Sequence, residues 1–469
     1  MAAQSNSIDD YIRSLKYDPR SLLSVQKDGS TESIPIRDRQ VSGNAVIICT
    51  RKECSLSKNL SGVAILRPTG GVIFPGALVY ADQNLMEGRP TPIALNRGPL
   101  TLTVDLPGLR DIPTPVPEPT NSSVQAYLNG VLEAWNENPA SQGYVNTARS
   151  SLQLTTAYSS QQIALDLGFN AEWAGGDVST KLGLSSSTEK SVAMAFYRQI
   201  FYSVTMDTPA SPAAVLDGDI GFDQVSRAMH DDAIPAYVRS VDYGRILVIT
   251  METSTVDTKA NLEAAFSQTL NTGVKVGGSV DSKYEKIIEN ATFSVIAIGG
   301  GAATAAEFSG NPDDLKKLGE YINRDATYRR DNPGAPISYT VAFLKDNTLA
   351  EMGFTTEYTQ TECISYPNGF VRLDHDGAYV ARFTVSWEEA GQNDDYVAHS
   401  WSSGEQTAGY THQVDLPGDA RKVKVYADAA TGLTWDPWGD AINITENGPT
   451  NKTYRIYGTT LDRKYEISD

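Results

Sequence analysis

From residue 163 to residue 184 apolar and polar side chains alternate almost without a break. Ile163, Leu165, Leu167, Phe169, Ala171 and Trp173 take the odd positions. Asp166, Gly168, Asn170 and Glu172 take even ones, and only Ala164 interrupts. After the turn-forming Ala174-Gly175-Gly176-Asp177, the residues Val178, Thr180, Leu182 and Leu184 alternate with Ser179, Lys181, Gly183 and Ser185. A period of two belongs to strands, so the segment reads as a hairpin with one apolar and one wet face. Each arm has about the 9–11 residues that a tilted strand needs to cross a bilayer. A closed barrel satisfies every backbone group inside lipid, with apolar residues outward and polar residues toward the lumen. An ordinary hairpin of a globular domain fits the same pattern.

A second segment, 262–288, reads two ways. Leu262, Ala264, Phe266, Leu270, Val274 and Val276 share a strand face, interrupted by Gln268 and Thr272. Gly277-Gly278 can turn, and Val280, Tyr284 and Ile288 return, with Ser282 and Lys286 spoiling that face. Yet Leu262, Ala265, Phe266 and Leu270 also form a helical stripe. The stretch is either a helix packed on a core or a strand facing lipid. Two such segments in one chain point to a protein that changes state.

Several classes are disfavoured. Fifty-seven acidic against thirty-nine basic residues give a net charge of −18, which repels nucleic acid and anionic lipid. No stretch of eighteen apolar residues occurs, so no transmembrane helix is expected. The start, "MAAQSNSIDDYIRSLKYD", lacks a basic region followed by an apolar core, so a Sec-type leader is not expected. His230, His375, His399 and His412 stand apart, and no HExxH or CxxC pattern occurs, so no metal and no cofactor is expected. Of Cys49, Cys54 and Cys363, the first two can pair, one thiol is left over, and a disulfide scaffold is not expected. "VIAIGGGAATAAEF" (295–308) imitates a dinucleotide-binding turn, but Thr304 stands where the fingerprint needs Gly and no βαβ repeat surrounds it. A strand end that bends or packs closely is the better reading. No acid/base pair or nucleophile motif assembles, so the chain is not read as an enzyme.

Residues 44–116 are strand-like with frequent turns, and "PTPVPEPTNSS" (113–123) connects them to a helix expected over 124–135, with Tyr127, Val131 and Leu132 on one face. Strands are expected over 190–206, 243–252 and 291–301. From Thr361 onward, strand and turn alternate to the end, the pattern of an antiparallel sandwich. Within it, "DAATGLTWDPWGD" (428–440) places Trp435 and Trp438 in a Gly/Pro-broken loop, where large rings need something to bury against.

Over essentially its whole length the sequence resembles the cholesterol-dependent, or thiol-activated, cytolysins. The resemblance runs through "FPGALV" (74–79), "LTVDLPGL" (102–109), "NSSV" (121–124), "RSVDYGR" (239–245), "PISYTVAFLKDN" (336–347), "LDHDGAYVARF" (373–383) and "IYGTTL" (456–461). It implies an elongated α+β fold: a central twisted antiparallel sheet flanked by helical bundles, the core shared with membrane-attack proteins, and a C-terminal β-sandwich. It divides the chain into 1–150 (N-terminal parts of domains 1 and 2), 151–204 (first membrane hairpin region of domain 3), 205–247 (domain 1), 248–319 (second hairpin region), 320–360 (return segments of domains 1 and 2) and 361–469 (membrane-binding sandwich).

The implied activity is that of a secreted or released toxin acting on a host cell membrane. It binds cholesterol-rich bilayers, assembles a homo-oligomeric ring, inserts two hairpins per subunit and lyses the cell. The two ambivalent segments fall where the family keeps its convertible helical bundles. Their lipid-facing residues would be Ile163, Leu165, Leu167, Phe169, Trp173, Leu182 and Leu184, then Leu262, Phe266, Leu270, Val274 and Val276. The family's sterol-recognising Thr-Leu pair matches Thr460-Leu461. Its other membrane-contacting loops match Ala378-Tyr379, Ala408 and Thr431, Gly432, Leu433, Thr434, Trp435, Asp436, Pro437 and Trp438.

The family undecapeptide Glu-Cys-Thr-Gly-Leu-Ala-Trp-Glu-Trp-Trp-Arg reads "AATGLTWDPWG" here (429–439). Its cysteine is Ala430, one tryptophan is Pro437, and its arginine is Gly439. These departures motivate an alternative, a relative that docks on a membrane, glycan or protein receptor with weak lysis or none.

Overall fold

β-Branched and aromatic residues dominate the long apolar runs, and those runs become sheets. The computed structural model describes residues 2–24, 29–60, 62–65, 71–86, 89–109, 115–157, 162, 165, 168, 191–253, 263–267, 291–299, 326–391, 395–435 and 437–469. In chain order its main elements are α1 (Ala2–Ser14), β1 (Gly29–Glu32), β2 (Ile36–Ser42), β3 (Ala45–Leu60), β4 (Val63–Ala64), β5 (Leu78–Tyr80), α2 (Gln83–Met86), β6 (Leu102–Val104), α3 (Asn121–Glu137), β7 (Arg149–Ala157), β8 (Ser191–Met206), α4 (Phe222–Ala228), β9 (Pro235–Thr253), β10 (Ala291–Ile298), β11 (Ala335–Phe343) and β12 (Met352–Pro367). The sandwich strands follow: β13 (Gly369–Ala378), β14 (Ala381–Ala390), β15 (Tyr396–Gln406), β16 (Tyr410–Leu416), β17 (Arg421–Ala430), β18 (Trp438–Glu446), β19 (Asn451–Thr459) and β20 (Arg463–Ser468). Two compact units emerge. One gathers the described residues of 1–32, 53–255 and 259–359, the other those of 33–52 and 360–469.

The first unit is built on an eight-stranded sheet ordered β4-β11-β9-β8-β6, with β5 and β10 also on β9 and β7 on β8. Strand β9 is its spine. It is buried along nearly all its length, as a near-continuous apolar run demands. At Gly244 it changes partner: Ala236–Gly244 pair with β11, whereas Ile246–Thr253 pair with β10. A side chain at Gly244 would strike the Gln199 carbonyl, and one at Gly299 would lie 2.5 Å from the Gly244 oxygen. Gly299 is therefore the closely packed strand end expected for that Gly-rich stretch; residues 300–308 lie outside the described residues.

Helix α3 begins earlier than its hydrophobic period suggested. Thr120 caps it, accepting from the Ser123 amide, while the Ser123 side chain accepts from the Thr120 amide. Val124, Leu128, Val131 and Trp135 are its buried face; Tyr127 and Leu132 are partly buried against the same core. The Trp135 indole donates to the Pro107 carbonyl at 2.8 Å.

The second unit contains two four-stranded sheets, β16-β13-β19-β20 and β15-β14-β17-β18, closed over a core that includes Val371, Leu373, Phe383, Val385, Val425 and Tyr454. The sandwich is not wholly antiparallel: β13 and β19 pair in parallel. The chain crosses to the other sheet and back between them, which frees their direction from hairpin geometry.

The cysteine reading is corrected. Cys49 of β3 bonds to Cys363 of β12, and Cys54 is a buried thiol. In an extended strand Cys49 and Cys54 stand about 16 Å apart and on opposite faces, so they cannot pair. Strands β3 and β12 are sheet neighbours, which brings together residues separated by 314 positions.

Candidate functional site

Four connections meet at one end of the sandwich. Strand register places them there: Ala378 lies level with Thr459, His375 with Tyr410, Ala381 with both Gln406 and Ala429, and Ala430 with Trp438. The loops following β13, β15, β17 and β19 thus share a rim. On it Leu461 is 95% exposed, Trp435 81% and Leu433 43%, with Ala378 and Ala408 also exposed. Exposed apolar groups converging on one rim mark an interaction surface.

Each loop is held by its own bonds. The Thr431 amide donates to the Pro437 carbonyl at 2.9 Å and the Ala430 amide to the Val380 carbonyl at 2.7 Å, closing the base of the Trp loop. The Thr431 hydroxyl accepts from the Leu433 amide at 3.1 Å, and Gly432 turns with φ of +80°, a backbone state suited to glycine. Thr434 and Pro437 are exposed; Asp436 lies outside the described residues. The β19–β20 turn closes through reciprocal bonds between Thr459 and Asp462 at 3.0 and 3.1 Å, leaving Thr460-Leu461 at its corner. Thr460 is half-buried.

Two expected contact residues are held otherwise. Trp438 does not project like Trp435. The Arg382 guanidinium lies 3.6 Å from its ring centroid, and Asp428 fixes that guanidinium with bonds of 2.5 and 3.2 Å. Tyr379 points inward and is buried, its hydroxyl donating to the Tyr457 carbonyl at 3.2 Å. Burial pushes that hydroxyl's pKa up, and the charge of Arg463 pulls against it. Beneath the same loop, the buried His375 accepts from the Gly377 amide through Nδ1 at 3.1 Å. Its Nε2 donates to the Tyr379 carbonyl at 2.8 Å. That arrangement requires neutral imidazole, and burial pushes the His375 pKa down. Neither the Arg382 stack nor the His375 latch was visible in the sequence, because each partner comes from a fold-dependent neighbour.

At the opposite end of the sandwich a cleft of about 720 Å³ is lined by Arg39, Asp419 and Arg421 among others. Arg39 is bonded to Asp419 at 2.7 Å and to Glu389 at 3.0 Å. Burial, the largest single influence, would raise the Asp419 carboxyl, but the Arg39 bond and charge together with backbone N–H bonds outweigh it and hold it low. These charges neutralise one another and fasten the 33–52 segment to the sandwich.

In the first unit the four strands β7-β8-β9-β10 end level with one another: Ala157 opposite Val192, Ser191 opposite Thr253, and Thr253 opposite Ala291. The connections 158–190 and 254–290 therefore leave one end of the sheet, and each joins antiparallel neighbours. Of the expected lipid-facing residues, Leu165 is helical and fully buried, and Phe266 lies in the helical 263–267 segment, 2% exposed. Phe266 and Ala265 pack with Ala193, Leu247 and Phe293, as the helical stripe predicts. Ile163, Leu167, Phe169, Trp173, Leu182, Leu184, Leu262, Leu270, Val274 and Val276 lie outside the described residues. Among the described residues, no helix is long and apolar enough to cross a membrane, and no cluster of three or more His, Cys, Asp or Glu could hold a metal.

Comparison with known proteins completes the picture. A family profile described as thiol-activated cytolysin matches residues 7–366, and one described as thiol-activated cytolysin beta sandwich domain matches 370–464. Tetanolysin of Clostridium tetani is 33% identical over 473 residues, covering 99% of this chain and 88% of its own. The crystal structure of listeriolysin O superposes with a TM-score of 0.80 at 29% identity, covering 100% of this chain and 96% of that one. A non-hemolytic pneumolysin from Streptococcus pneumoniae superposes with a TM-score of 0.79 at 28% identity, covering 99% of each.

Proposed function

The chain belongs to the thiol-activated cytolysin family, and from that premise we propose that it binds cholesterol-containing bilayers through the sandwich rim and perforates them with two hairpins from the first unit. It is a pore-forming toxin, not an enzyme. The observation that carries the finer reading is the level end of β7-β8-β9-β10. If 158–190 and 254–290 extend in register with the strands they join, the sheet gains two hairpins, and each connection is long enough for two membrane-crossing strands of about 9–11 residues. Buried Leu165 and Phe266 then exchange a protein core for lipid, which conserves their apolar environment.

At the rim, Leu461, Leu433 and Trp435 enter the interfacial layer, Thr460-Leu461 contacts the sterol, and Ala378 and Ala408 follow. A subunit holding a bilayer by a few side chains binds weakly. A homo-oligomeric ring multiplies those contacts, and a barrel closed between subunits leaves no unpaired strand edge in lipid. Released from its source cell, the toxin meets the outer leaflet of a host cell.

The second reading, a receptor-binding relative without lysis, is favoured by Pro437 and Gly439 in the Trp loop. A likeness to a non-hemolytic pneumolysin also shows that the fold alone does not guarantee lysis. Dye-loaded phosphatidylcholine vesicles with and without cholesterol, imaged by electron microscopy, separate the two. Cholesterol-dependent release with rings is the expected result. Binding without release would establish the second reading, and no binding at all would overturn both.

A further inference from the structure

The guanidinium of Arg463 lies against Gly439. A methyl group at Gly439 would sit 2.5 Å from Arg463 Nη1, 2.9 Å from Nη2 and 3.1 Å from Cζ. Arg463 opens β20 directly after the Thr459–Asp462 turn, and Gly439 directly follows Trp438 in β18. These strands are the edges of the two different sheets. One side chain therefore spans the open edge of the sandwich, between the turn bearing Leu461 and the loop bearing Trp435. Its Nη1 is buried and has no hydrogen-bond partner. A permanently charged donor left unmatched is unfavourable. A guanidinium packed against Gly439 links the position of one loop to that of the other.

We propose that Arg463 is a positioning residue that couples the Thr460-Leu461 turn to the Trp435–Trp438 loop, and that Gly439 lacks a side chain in order to receive its guanidinium. The inference rests on the reading of this rim as the membrane contact. It makes a specific demand: filling the space at Gly439 and removing the guanidinium must do the same thing. Gly439→Ala pushes the guanidinium away, which is easy because it is the end of a flexible side chain. Arg463→Gln removes it. Neither substitution touches the exposed faces of Leu461 or Trp435, so first attachment to lipid is retained while the step after it suffers.

The test uses the full chain and phosphatidylcholine vesicles with cholesterol, reading attachment by co-sedimentation and pore formation by dye release. Each single variant is expected to attach within threefold of the parent yet release dye at least tenfold more slowly. The double variant should be no slower than the slower single variant, and Arg463→Lys should recover part of the loss. Release at the parent rate by both single variants, or losses that multiply in the double variant, would overturn the coupling. A parent protein that fails to attach to cholesterol vesicles would overturn the membrane reading itself and this inference with it. A loss of attachment equal to the loss of release would reduce Arg463 to a structural residue and overturn the proposal. Should Arg463→Gln unfold, the Gly439→Ala and Arg463→Lys results decide alone.

Discussion

Removing the Trp435 ring should weaken membrane attachment and leave the folded protein untouched. The ring is 81% exposed, so the water-surrounded fold gains little from it. An indole carries about 150–250 Å² of surface. Four-fifths of that, at about 25 cal/mol per Å², is about 3–5 kcal/mol for complete transfer into an apolar medium. A ring resting at the interface sheds about half its water contact, leaving about 1.5–2.5 kcal/mol, a 10- to 60-fold loss in Kd for Trp435→Ala. Thermal stability should change by no more than about 0.5 kcal/mol, as for other exposed positions.

Trp438→Ala is the control, because the Arg382 stack makes that ring part of the fold. It should cost about 0.5–2 kcal/mol of stability and a smaller share of affinity. The assay is co-sedimentation with cholesterol vesicles over a lipid titration, paired with thermal unfolding of each variant. If Trp435→Ala binds like the parent, or if Trp435→Ala loses stability while Trp438→Ala does not, the assignment of the outward ring is wrong.

Four further outcomes are expected. Replacing Thr460 and Leu461 together with Gly should abolish attachment to cholesterol vesicles with unfolding unchanged; retained attachment would transfer sterol dependence to another loop. Reductant, or Cys363→Ser, should lower stability, with a chain-entropy ceiling of about 6 kcal/mol for so long a loop, while mild thiol oxidants should not inhibit through the Trp loop, where Ala430 replaces cysteine; equal unfolding curves with and without reductant would contradict the first part. Burial pushes the His375 pKa down in the fold, so the unfolded chain takes up its proton first as pH falls below about 6.5, and stability should decline through that range although the Tyr379 carbonyl bond and, less strongly, Asp376 oppose the shift; His375→Gln should flatten the decline, and an unchanged pH profile in that variant would clear the imidazole. Leu167→Arg should cost about 2–4 kcal/mol per subunit at the bilayer midplane and block dye release after normal attachment, whereas Asn170→Arg should be tolerated in the lumen; equal tolerance would rule out 163–173 as a spanning strand.

Side-chain periodicity reports which face of an element is buried, and where that was the question the sequence was readable. The runs at 190–206 and 291–301 became β8 and β10, and the helical stripe through Ala265 and Phe266 faces a core. Periodicity does not report which distant strand supplies the neighbour. The partner of Cys49 is 314 positions away. Tyr379 looks like an exposed loop tyrosine until Tyr457 offers it a carbonyl. Trp438 looks equivalent to Trp435 until β14 brings Arg382 over its ring.

Gly439 makes the point most sharply. Compared position by position with the family undecapeptide, it is a lost arginine, and a loop deprived of its cation suggests a weakened toxin. In three dimensions the space beside Gly439 holds the guanidinium of Arg463, contributed from β20 across the edge of the sandwich. A side chain at 439 and an arginine at 463 compete for the same volume, so the two positions have to be read as one. The glycine therefore argues less strongly for a non-lytic relative than its position in the loop implied, and Pro437 is left as the main departure on that side. Pro437 accepts the Thr431 amide through its carbonyl and needs no N–H of its own, so even this change leaves the loop closed at its base.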